Sequence, residues 1–254
     1  MYSMVPRCWL GRRFAMIQLG KVKQTHEVNA TNNPMPQQIF LEILFSTLRR
    51  PAPSGCSMTV IRGAKPWVWG ELDVPLFGLS RDWYGKPMTP QAAFCVAVDS
   101  RYLWFVAAHG HPARLHPAAR PGRFTPDLWK HDVAELFLTD STSGRYFEFN
   151  LSPNGAWWSC EFTAPRVRAE KVEIAFPEVA TFAELAPDGG WVAALAIPLD
   201  VLEARLDFGA KSRLNVAFIL GSPEQRFLSA ADLGGGEPDF HRPHKFGPVE
   251  FVEL

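Results

Sequence analysis

Four cysteines are scattered through 254 residues, at Cys8, Cys56, Cys95 and Cys160, and none shares a Cys-x-x-Cys spacing. That spacing argues against a disulfide framework and against a cysteine-built zinc site. Cys95 and Cys160 fall inside apolar runs, where a free thiol serves as a small hydrophobe. Net charge is missing too, since 26 basic residues balance 26 acidic ones. Nucleic acids and anionic membranes are bound through an excess of Lys and Arg, so neither is expected as a partner. No apolar run approaches the ~20 residues of a membrane helix. The stretch "GRRFAMIQLG" has paired arginines, but Lys21 and Lys23 cut off any apolar core behind it. No export signal is read, and the cytoplasm is the expected compartment. Gly234–Gly236 has no Lys-Ser/Thr after it, and no Gly-x-Ser-x-Gly elbow occurs, so neither a phosphate loop nor a serine-hydrolase turn is expected.

Aromatic residues are plentiful, with 19 Phe, 9 Trp and 4 Tyr, and they are punctuated by 22 Pro and 19 Gly. This composition favours many short strands over long helices. Alternating apolar patterns predict strands at 68–74, 92–99, 102–108, 133–139, 145–151, 156–162, 171–176, 181–185, 191–197, 214–220 and 225–230, with a closing strand at 249–252. One helical turn is expected at "PLDVLEARL", opened by Pro198. Hairpin-like links such as "SPNG" and "PDGG" make parallel crossovers improbable. The expected fold is therefore all-β: an antiparallel, jelly-roll-like β-sandwich over 58–254. Residues 1–57 are read as an N-terminal extension, either a docking segment or upstream sequence not native to the domain. Its one structured part is a short helix at 36–50, where Ile39, Phe40, Ile43, Leu44 and Leu48 recur at helical spacing.

The hairpin "GRYFEFNLSPNGAWWSCEF" raises the functional question. Pro153 suits the second position of a type I turn. A four-residue loop, 152–155, pairs Phe149 with Trp158 and puts Tyr146, Glu148, Asn150, Trp157 and Glu161 on one face. A three-residue loop shifts the register by one and sets Phe147 against Glu161 and Phe149 against Ser159. That mixes polar and apolar groups on both faces, so the four-residue loop is expected. With "DVAELFLT" as the hairpin neighbour, Glu135 joins the same face. Two readings stay open. Alternating Glu and Asn suit an ordinary wet sheet face. Acids, an amide and aromatic platforms at Trp157 and Tyr146 also suit the apolar face and hydroxyls of a pyranose.

At "WKHDVAELFLTD", "GRYFEFNLSPNGAWWSCEF", "PRVR" and the later "PDFHRPHKF", the sequence resembles DOMON-like proteins related to the family-9 carbohydrate-binding modules. The resemblance covers roughly 58–254 and implies a fold more firmly than an activity. It implies that Glu135 and Asn150 contact a sugar. Glu148 stands where the sugar-binding modules have an arginine. Trp157 and Trp129 are the candidates for the aromatic clamp. Family-9 modules bind structural calcium, but no Asp-rich loop with ligand spacing appears, so no cofactor is assigned beyond calcium as an open alternative. Haem, bound by other DOMON domains, is not expected, since Met88 is the only methionine after Met58.

The function expected from these readings is non-catalytic carbohydrate recognition through Glu135, Asn150, Glu148, Trp157, Trp129 and Tyr146. The alternative is a domain that docks a protein partner. Glu135 and Glu148 could also serve as the two carboxylates of a glycosidase, but acids on neighbouring strands are more often binding groups. His109, His111, His116, Asp239, His241 and His244 could gather around one cation, although their spacing fits no familiar site.

Overall fold

Both faces of residues 92–98 are apolar, and the structure shows why. Phe94, Val96 and Val98 enter a central apolar cluster, while Ala93, Cys95 and Ala97 enter a second cluster on the opposite face. A strand covered on both sides needs no polar alternation. The structure is a computed structural model that describes residues 57–254, apart from Glu71, Asp73 and Ser222. The extension with its expected helix at 36–50 lies outside the described residues.

The strands in chain order are β1 (Met58–Arg62), β2 (Phe77–Arg81), β3 (Pro87–Val98), β4 (Tyr102–His109), β5 (Val133–Thr139), β6 (Tyr146–Leu151), β7 (Trp157–Ala164), β8 (Val167–Arg168), β9 (Ala180–Leu185), β10 (Trp191–Pro198), β11 (Arg213–Leu220), β12 (Arg226–Ser229) and β13 (Gly247–Glu253). One short helix, α1 (Leu199–Glu203), follows Pro198, as the helical-turn pattern predicts. No helix among the described residues is long and apolar enough to cross a membrane.

The strands form one curled, mixed sheet in the order β8-β7-β6-β5-β11-β13-β1-β3-β4-β10-β9, with β12 paired to β11 and β2 to β3. The expectation of a purely antiparallel fold is corrected here. β1 runs parallel to β13 on one side and to β3 on the other. This parallel seam joins two otherwise antiparallel halves. Short links make crossovers improbable only between consecutive strands, whereas β1 and β13 come from opposite ends of the domain, where link length imposes nothing. Phe105, Leu195 and Trp191 from one half meet Leu136, Phe149 and Phe218 from the other in the shared core.

Two predicted strands do not form. The described residues of 68–74 form no strand, and Leu72 and Val74 instead cover the outer face of β3, β4 and β10 together with Trp67 and Trp69. Residues 171–176 also leave the sheet, though Phe176 packs against Phe147 and Phe149. An apolar alternation can serve an irregular cover as well as a strand.

The long loop after β4 is structural at its far end. Thr125 N–H donates to Trp157 O and Trp157 N–H donates to Arg123 O, which adds a short parallel bridge beside β7. Its last turn places Leu128 in the apolar cluster outside β5, β6 and β7, leaving Trp129 half-exposed beside it.

Candidate functional site

The β6–β7 hairpin determines what the site contains. Ser152 N–H donates to Ala156 O and Gly155 N–H donates to Ser152 O, which closes a three-residue loop of Pro153, Asn154 and Gly155. Gly155 has φ +82°, the left-handed conformation that completes a type I turn in such a loop. Phe147 therefore faces Glu161, Phe149 faces Ser159, Asn150 faces Trp158 and Leu151 faces Trp157. This is the register rejected on polarity, and the expected four-residue loop is corrected.

Polarity excludes this register only where one face is wet, whereas both faces of this half are covered. The polar groups this register places on the core side are satisfied. Ser159 Oγ accepts the Phe176 N–H at 3.0 Å, and Glu161 pairs with Arg145 and with Arg205 at the sheet edge.

Parity therefore changes partners. Trp157 turns inward, only 6% exposed, into the central cluster with Phe124 edge-on at 5.3 Å. It cannot act as an outward platform. Trp158 takes the outer side instead. Tyr146 is on the expected face but fully buried, stacked on Phe162 at 4.9 Å, so it supports the site from beneath. Glu135, Glu148 and Asn150 do come together. Asn150 lies directly across from Glu135, and Phe137 across from Glu148, on adjacent strands. None of the three is wet, at 3%, 5% and 0% exposed respectively.

The roof is the closing loop. Phe240 and Phe246 pack onto Phe137, and His241 sits edge-on to Phe162. The roof stops short of the rim and leaves a cleft of about 390 Å³. Glu135 and Glu148 line it together with Trp158, Phe162, Phe227 and Phe240, and Trp129, Arg166, Arg168 and His241 also border it. A volume in this range suits a small ligand.

Electrostatics separate the cleft into layers. Burial and the neighbouring Glu148 charge push Glu135 well above the usual carboxylate range, against a weaker pull from Arg166. Burial pushes Glu148 up to about 7, opposed by the Asn150 amide and by Arg168 and Arg166. Near neutrality this pair retains proton and can both donate and accept hydrogen bonds. Burial likewise holds His241 down to about 4, so it is a neutral imidazole at pH 7. Its Nε2 lies 3.6 Å from Glu148 Oε2.

Arg166 fastens turn to roof. Its φ of +61° is left-handed, a conformation that costs a non-glycine residue of order 1 kcal/mol. In return its backbone N–H reaches the Tyr146 hydroxyl at 3.1 Å, and its guanidinium bonds Asp239 at 2.8 Å. The Arg168 guanidinium lies 5.4 Å over the Trp158 ring. Trp158, Phe162, Phe227, Phe240, Arg166, Arg168 and His241 are absent from the sequence-derived set. The Pro-Asn-Gly loop was the signal that could have found Trp158.

The histidines do not converge. His109 neighbours His111, His116 neighbours His131, and His241 stands alone over Tyr146. Among the described residues, no group of three or more His, Cys, Asp or Glu is arranged to hold a metal ion.

No protein-family model matches the chain. In sequence it is 27% identical over 145 residues to the UPF0462 protein C4orf33 homolog of Rattus norvegicus, spanning 54% of this chain and 68% of that protein. The Mus musculus homolog is 27% identical over 148 residues, spanning 54% and 70%. In structure, a candidate carbohydrate-binding protein from Bacteroides uniformis superposes with a TM-score of 0.59 at 17% identity, covering 78% of this chain and all 100% of that one. A family-9 carbohydrate-binding module from Caldicellulosiruptor kristjanssonii, in complex with cellotriose, superposes with a TM-score of 0.52 at 14% identity, covering 78% and 95%. At these identities the likeness is one of fold.

Proposed function

We propose that this protein binds a carbohydrate, without turning it over, in the cleft above the outer face of β5, β6 and β7. One observation carries the reading. Two buried acids, Glu135 and Glu148, line the cleft together with the aromatic side chains of Trp158, Phe162, Phe227 and Phe240. A sugar ring presents both halves of that pattern, C–H faces for stacking and hydroxyls that each donate and accept. Trp129, half-exposed at the rim, is the natural cover for an outer ring. The shared fold with family-9 modules supports the reading, as does the fact that one such structure holds cellotriose. The same reading treats the two facing halves of the sheet as a jelly-roll sandwich akin to DOMON-like domains.

A glycan array probed with the full chain tests this. Binding to at least one saccharide class is expected, weakened about 5- to 10-fold by Trp129→Ala, the scale of one aromatic contact at a partly exposed site. Silence across the array overturns the proposal. Hydrolysis of aryl glycosides that is lost in Glu148→Gln would overturn its non-catalytic half.

A further inference from the structure

We infer that the saccharide suited to this cleft is an amino sugar, its ammonium group held at the floor by Glu135 and Glu148. The inference rests on the carbohydrate reading above and narrows it to a chemical class.

The argument begins with charge. Four acids line the cleft, Asp127, Glu135, Glu148 and Glu173, against two arginines. The outer charges cancel locally. Arg168 pairs with Glu173 at 3.2 Å, Lys130 with Asp127 at 2.7 Å, and Arg166 with Asp239 at 2.8 Å. The floor acids have no such partner among the described residues. No side chain hydrogen-bonds the Glu135 carboxyl, although it is only 3% exposed and lines the cleft. Glu148 is met by an imidazole 3.6 Å away that burial keeps neutral, and both amide atoms of the buried Asn150 are without a hydrogen-bond partner. Uncompensated buried carboxylates are costly, and the cost falls when a cation enters with good geometry.

A neutral sugar offers hydroxyls to these acids but no charge. An ammonium offers both hydrogen-bond donors and charge. A second observation argues against a bare cation. The indole Nε1 of Trp158, a residue 5% exposed, has no partner. That donor calls for an acceptor such as a sugar hydroxyl or ring oxygen. Cation and hydroxyls together describe an amino sugar. On binding, the ammonium takes the place of the carboxyl proton, which passes to the buffer.

Calorimetry on the full chain at pH 6 tests the inference with three disaccharides, those of glucosamine, of N-acetylglucosamine and of glucose. The glucosamine disaccharide is expected to bind at least tenfold tighter than the other two. Runs in buffers of different ionisation enthalpy should show release of about one proton with it and none with the neutral sugars. Glu135→Gln should erase the preference while sparing the weaker binding. If that variant does not fold, the wild-type proton release still decides. Equal affinity for the three, without proton release, overturns the amino-sugar inference and leaves carbohydrate binding standing. Binding of none of the three, together with a silent array, overturns both.

Discussion

Tyr146 and His241 lie 2.8 Å apart, phenol oxygen to Nδ1, and that bond sets which ring nitrogen faces the acids. The Arg166 backbone N–H already donates to the phenol oxygen. We assign the phenol hydrogen to Nδ1, the arrangement that gives that hydrogen an acceptor, which leaves the neutral ring's own hydrogen on Nε2, the nitrogen 3.6 Å from Glu148. A fully buried tyrosine thus orients a histidine at the mouth of the cleft.

Tyr146→Phe should keep the ring stacking and lose this orientation. Leaving the Arg166 N–H and His241 Nδ1 without a partner costs about 1–3 kcal/mol. Nitrogen NMR of the imidazole should show the Nε2-protonated tautomer in the wild type and a mixture in the variant. An unchanged tautomer would mean that other contacts set the ring.

The acid pair gives a pH signature. Glu148 is raised to about 7 from a model-peptide value near 4.5, so its contribution to stability is fully present below about pH 4.5 and is lost as pH rises through 7. Glu135, raised further, extends the loss upward. His241 and His109, both lowered to about 4, act in the opposite sense, losing stability as pH falls from about 6.5. The difference between variants isolates the acid. The unfolding free energy of Glu148→Gln, from denaturant titrations, should gain on wild type between pH 4.5 and 7, by of order 1–3 kcal/mol. A difference independent of pH would show that Glu148 titrates normally.

Trp157 and Trp129 should separate by readout. Trp157→Ala empties part of the shared core and should cost about 3–5 kcal/mol in urea unfolding. Trp129→Ala should leave the unfolding free energy within about 0.5 kcal/mol, as surface changes usually do. A Trp157→Ala variant of wild-type stability would contradict its interior placement.

The sequence made the β5–β6 hairpin legible, along with the grouping of Glu135, Glu148 and Asn150, because those residues alternate without interruption and the connecting loop fits the strands. It failed at the next hairpin for a physical reason. Polarity selects a register only when one face is wet, and here residues 238–246 cover the outer face from almost a hundred positions away. Nothing local to Trp157 and Trp158 says which indole is inside; the turn chemistry of Gly155 does. The cleft depends on Arg166, Phe240 and His241, which belong to loops without periodicity. The parallel seam at β1 was hidden because it joins the two ends of the domain.

Gly155→Ala tests the turn directly. A Cβ there meets the Ala183 Cβ at 3.4 Å, and the backbone φ of +82° is strained for alanine. A loss of about 1–2 kcal/mol is expected, from the left-handed backbone with a small steric addition. Gly155→Asn, which tolerates that conformation better, should lose less. Equal stability of the three would argue against the three-residue loop.

The seam also sets an order of events during synthesis. Arg62 at the end of β1 meets Glu253 near the end of β13, 191 residues later. Until β13 has been made, β1 can find only one of its two neighbours, so one of its edges stays open. Non-local pairing of this kind slows folding and leaves an edge available to other chains. The β5–β6–β7 meander, whose strands are neighbours in sequence, can zip long before that. The nascent protein should therefore be most prone to self-association in the interval before β13 emerges, and the arrival of β13 is what closes the open edge of β1.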